Sequence, residues 1–145
     1  RVVALVSISL ASLLAVLVAW RKRLSTLSEF FPLLLFVIVA STALNYVFTP
    51  QMMILITPLA LLALDKRKLA VYAASDTLNA LIMVAFFKDG EIRSALRNIG
   101  LPVPLRGFQP WTIDSPVQWI AIARNILLIY IMIATMLSLV AREKA

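Results

Sequence analysis

Cysteine and histidine are both absent from this 145-residue chain. Without cysteine there is no disulfide framework and no thiolate chemistry. Without histidine, the commonest general base and transition-metal ligand are missing. Acidic residues are scarce, seven against fourteen Lys and Arg, for a formal charge of +7. With three glycines in all, no Gly-rich phosphate loop is present, and no nucleophile stands beside a base. From its chemistry alone the chain reads as a binding or structural segment.

What fills the composition instead is apolar. Hydrophobic residues make up 62% of the chain and the mean hydropathy is +0.96, above the roughly 45–50% apolar usage of soluble domains. Long apolar runs with at most one charge each occur at Val2–Trp20, Phe30–Val47, Pro50–Leu64, Leu69–Phe87 and Pro116–Val140. A helix needs about 20 apolar residues to cross a bilayer, and none of the runs alternates as a membrane strand would. The expected fold is all-α: a polytopic integral membrane protein of about five transmembrane helices. Residues 1–145 read as one transmembrane domain. The first run is followed by Arg21-Lys22-Arg23 rather than a small-residue cleavage site, so it reads as a span within a longer chain, not a signal peptide.

Charge sets the expected orientation. Short basic clusters follow the first run (Arg21, Lys22, Arg23), the third (Lys66, Arg67, Lys68) and the fifth (Arg142, Lys144), and such clusters mark the cytoplasmic side. The uncharged Asn45–Gln51 turn and the long loop at 88–115 then share the outer face of a cell membrane. The positive charge is thus mostly topology, with membrane lipids as its natural partner. A nucleic-acid partner would need a basic soluble surface interleaved with aromatics, and none is present.

Within the 88–115 loop, Ile92, Ala95, Leu96 and Ile99 recur at helical spacing, which predicts a short interfacial helix over Glu91–Ile99, ended by Gly100. Its prolines and Trp111 suit a segment crossing the headgroup region, as does Trp119. The same loop also reads as a lid whose Arg93, Arg97 or Arg106 meets phosphate.

Two charges interrupt the later spans. Asp76 lies in the fourth among Ser75, Thr77 and Asn79, and Arg124 in the fifth beside Asn125. Charges at such depth are costly and face protein or water. Either Asp76 and Arg124 form a buried pair that fixes helix packing, or Arg124 binds a phosphate from the outer side. Pro58, after Thr57, would kink the third helix and release a carbonyl.

The turn Asn45-Tyr46-Val47-Phe48-Thr49-Pro50-Gln51 is the most pointed local signal. Thr49 is a favourable N-cap and Pro50 suits the first helical position. A helix starting there aims its free amides and positive dipole end at one face of the membrane, which suits an anion.

Phe48-Thr49-Pro50-Gln51, with Met52, Leu55 and Pro58, resembles the F-S-P-Q-Y-x-x-W-x-x-P signature in late membrane spans of GT-C glycosyltransferases, mannosyltransferase-like enzymes that use polyprenyl-phosphate sugars. Asn45 before the motif and the Arg124-Asn125 pair fit the same pattern. Met52 and Leu55 stand where the signature has Tyr and Trp. The resemblance covers residues 30–87 best. It implies the C-terminal membrane region of such an enzyme, with the lipid-linked donor held by Thr49, Pro50, Gln51 and Arg124 on the outer face. It implies no catalytic residue, metal ligand or cofactor within these residues. The catalytic carboxylate, and a divalent metal where one is used, would lie upstream. Two other classes fit the residues: an accessory subunit of a membrane complex, and a transporter of the PQ-loop kind, for which no internal repeat is found.

Overall fold

Asp65 sets the sharpest boundary in the molecule. Its Oδ1 accepts hydrogen bonds from the backbone amides of Arg67 (3.1 Å) and Lys68 (3.0 Å), the geometry of an N-cap carboxylate. Two helices therefore meet here with only Leu64 and Asp65 between them. In the computed structural model, which describes residues 2–22, 26–44 and 52–141, the helices are α1 (Val2–Lys22), α2 (Leu27–Ala43), α3 (Met52–Ala63), α4 (Lys66–Phe87), α5 (Asp89–Asn98) and α6 (Pro116–Ala141). The fourth helix starts three residues before the expected Leu69, because the cap draws Lys66, Arg67 and Lys68 into its first turn. The Asn45–Gln51 turn, with Thr49, Pro50 and Gln51, lies outside the described residues.

The all-α expectation holds. Among the described residues α4 and α6 are long and apolar enough to cross a membrane, while Leu5–Arg21, Leu27–Ala43 and Met53–Ala63 form shorter apolar helices.

The helices run up and down. Leu35 and Val39 of α2, Ile56 and Ala60 of α3, Tyr72 of α4, and Leu128 and Ile131 of α6 build the main core. Outside it, Ala15 of α1 packs with Leu33, Phe36 and Leu139. At the end capped by α5, Ile82, Ala85 and Val117 form a third cluster against Ile92. The opposite end gathers the start of α2 with the last turns of α3 and α6 and the first turn of α4. Large apolar side chains also cover the outward faces, among them Leu13, Ile54, Leu61, Val84, Ile126 and Leu137.

Two local devices shape the bundle. Pro58 sits within α3, where its ring disturbs the helix ladder. One turn away, the Met53 carbonyl accepts from the Thr57 hydroxyl (3.1 Å) and the Tyr72 phenol (3.3 Å). The Tyr72 and Thr57 oxygens lie 2.6 Å apart, so the disturbed turn is tied to α4. Gly100 ends α5 at φ +89°. Its amide reaches the Arg97 carbonyl (2.9 Å), and that of Leu101 reaches Leu96 (3.1 Å), the two bonds of a Schellman motif.

Candidate functional site

Residues buried on α4 recur at Tyr72, Ser75, Asn79, Ile82 and Ala85. On α6 they recur at Val117, Arg124, Leu128, Ile131, Thr135 and Leu139. These two stripes face each other in the most extensive helix contact of the molecule, and each carries polar groups into it. Asn79 lies eight residues from Phe87 at the end of α4, and Arg124 eight from Pro116 at the start of α6. At 1.5 Å per residue both sit about 12 Å from the α5 end.

The Arg124 guanidinium is fully buried. Its Nη1 donates to Asn79 Oδ1 at 3.4 Å, and its Nε to Asn125 Oδ1 at 3.1 Å, an oxygen that Nη2 also reaches. Carboxamides orient the cation without adding a charge at these contacts. The expected ion pair with Asp76 does not form. Asp76 follows Ser75 by one residue, about 100° further round the helix, and that rotation puts it on the exposed face of α4. Ser75 itself is fully buried, and its hydroxyl has no hydrogen-bond partner among the described residues.

The loop over the α5 end is built around a second arginine. All five N–H donors of Arg93 are used: Nε to Asp89 Oδ2 (3.0 Å), Nη1 to the Pro104 carbonyl (3.2 Å) and Asp114 Oδ2 (3.1 Å), Nη2 to the Gln109 carbonyl (3.3 Å) and Thr112 Oγ1 (2.9 Å). Asp89 accepts in addition from the Gln109 amide (3.2 Å) and the Ser115 hydroxyl (2.7 Å). Both Arg93 and Asp89 are fully buried. Burial by itself would lower the Arg93 pKa, but bonds to Asp89 and then Asp114 outweigh it and raise the value. The Asp114 carboxyl is held below its ordinary range, first by the Thr112 hydroxyl and, against partial desolvation, by Arg93.

Arg93 is thus the pin of the loop and has no donor left for a phosphate, which corrects the sequence expectation for that residue. Its signal in the sequence is Asp89 four residues earlier, a helical ion-pair spacing. Burying this pair turns α5 over: the polar side faces the loop, while Ala95 and Ile99 are exposed. Arg97 and Arg106 remain exposed at this end, Arg106 with its Nε 3.9 Å from Asp114 Oδ2.

No family model, curated protein or solved structure matches the chain.

Proposed function

We propose that the chain is the membrane-embedded, donor-binding part of a glycosyltransferase that takes its sugar from a polyprenyl phosphate. In this reading five of the helices cross the membrane, and the α5 end, with the Asn45–Gln51 turn, faces outward. The reading draws on the Phe48–Gln51 motif for the enzyme class and on the basic clusters for orientation. Arg124 carries it: a guanidinium buried about 12 Å from the α5 end, bonded to two carboxamides, in a molecule whose outward faces are apolar. A cation held at that depth is costly and serves an anion or a structural network.

The chemistry asked of these residues is binding. Arg124 offers charge-assisted donors to the donor's phosphodiester, Asn125 being the neighbour that would yield its place. Gln51 and the first amides after Thr49 would take the remaining phosphate oxygens or a sugar hydroxyl. Arg97 and Arg106 stand exposed at the α5 end, the side from which a phosphate would enter in this reading. Proton transfer and sugar transfer belong to a carboxylate outside this segment.

The decisive experiment is photolabelling of the full-length protein in nanodiscs with a benzophenone-bearing polyprenyl phosphate. Labelling near Arg124 in α6 that disappears in Arg124→Gln supports the proposal. Equal labelling of the variant, with folding intact, would sink it.

One observation also favours an assembly role. Asp76 is exposed midway along α4 among Ala73, Ala74, Thr77 and Ala80, all small and all outward-facing. Small residues let transmembrane helices approach closely, so this face fits a further membrane segment, whether from the same enzyme or from a partner subunit.

A further inference from the structure

At the basic end of the bundle a cavity of about 320 Å³ opens beside the first turns of α2 and α4 and the last turns of α3 and α6. Pro32, Leu64 and Leu139 supply apolar wall. Asp65, Lys68, Thr135 and Ser138 supply the polar part. The space far exceeds the roughly 30 Å³ of one water and matches the smaller pockets that hold organic ligands.

Thr135 is the unusual member. It is only 3% exposed, it lines the cavity, and its hydroxyl has no hydrogen-bond partner among the described residues. Helical hydroxyls usually bond back to the carbonyl four residues earlier, and Ser41, Thr42, Thr57, Thr77, Ser94 and Ser138 all do so here. Thr135 instead keeps an unspent donor and acceptor just behind the cavity wall, its oxygen enclosed by protein, a cost to stability that a ligand drawing the hydroxyl round into the cavity would relieve.

Lys68 presents a second donor that is unspent among the described residues. Its ammonium gives one proton to Ser138 Oγ (2.8 Å) and one to Asp65 Oδ2 (2.9 Å), and a primary ammonium has three. Among the described residues Asp65 is the one acid on the wall. Its Oδ1 is occupied by the Arg67 and Lys68 amides and its Oδ2 by the Lys68 ammonium, so its charge is engaged by α4. Lys66 and Arg67 stand exposed in the same turn and raise the local positive potential.

We propose that this cavity is a phosphate site, in which one oxyanion accepts the third Lys68 proton and the Thr135 hydroxyl proton. A phosphate suits these donors because its several strong acceptor oxygens can meet groups from two different helices at once. A cationic ligand would meet Lys68, and a purely apolar one would leave Thr135 unpaired. The phosphate belongs either to a phospholipid headgroup, with Leu64 and Leu139 beside its glycerol, or to a soluble phosphate. The site lies at the opposite end of the bundle from Arg124 and does not depend on the glycosyltransferase reading.

The test is thermal unfolding of the purified full-length protein in a non-ionic detergent, titrated separately with dioleoyl phosphatidic acid, dioleoylglycerol and inorganic phosphate. The expected result is a saturable rise of the midpoint with phosphatidic acid and none with dioleoylglycerol. Thr135→Val keeps the side-chain shape and should weaken that affinity about tenfold, the size of one charge-assisted hydrogen bond. Lys68→Met should weaken it further. A Thr135-dependent rise with inorganic phosphate as well would support the site and identify a soluble ligand as its source. No rise with either phosphate probe, or unchanged phosphatidic acid affinity in folded Thr135→Val, would overturn the proposal.

Discussion

Asn79 and Arg124 meet across the α4–α6 interface from equal depths, with 3.4 Å between Asn79 Oδ1 and Arg124 Nη1. Asp76, three residues before Asn79, stays on the outward face. The cation is therefore positioned by a carboxamide, and the nearby carboxylate is left for other contacts.

Arg124→Leu should lower stability by about 1–2 kcal/mol, the upper range for polar contacts between membrane helices. Adding Asn79→Leu should recover part of the loss by removing the other half of the contact. Adding Asp76→Asn should not, because that carboxylate does not touch Arg124. Thermal unfolding in detergent distinguishes the cases, and recovery with Asp76→Asn would contradict the geometry described here.

Arg93→Met should open the loop over α5. It leaves Asp89 buried without its cation, a loss of about 3 kcal/mol for that local unit, visible as hydrogen exchange across residues 101–115. Arg93→Lys should rescue little, since an ammonium has three donors and no planar fork to replace five.

The same loop should loosen in acid. Asp114 has a lowered pKa in the folded protein, so its contribution is complete above the unfolded value near 4 and is lost as pH falls through the lower folded value. Protection of residues 101–115, taken relative to the intrinsic exchange rate at each pH, should fall on going from neutral pH to about pH 3. Asp114→Asn should flatten that dependence, and an unchanged pH profile in the variant would assign the loosening to another group.

Tyr72→Phe removes the phenol that reaches both Thr57 and the Met53 carbonyl while keeping the ring in the core. A loss of about 1 kcal/mol is expected, with faster exchange confined to the Pro58 turn of α3. A global loss without local loosening would mean that the bond does not hold the disturbed turn.

Much of the fold was legible in the residues. Long apolar runs predicted the helices because each must bury or solvate its whole length alike, and Gly100 marked a helix end because a left-handed residue was needed there. The start of α4 is not legible in hydropathy, since three basic residues look like a loop unless Asp65 acts as their cap. Arg124 stands out as a charge in an apolar run, yet its partner is not legible there: opposite charge points to Asp76, whereas rotation of α4 presents Asn79.

The residues by themselves determined the all-α class and roughly where the helices lie, because hydropathy and backbone propensity act along the chain. Only the tertiary structure decided which arginine is spent and which hydroxyl is left over. Arg93 gathers acceptors separated by up to twenty-one residues, and Thr135 comes beside a lysine sixty-seven positions earlier. Such contacts depend on the rotation and offset of packed helices, quantities that no local pattern encodes.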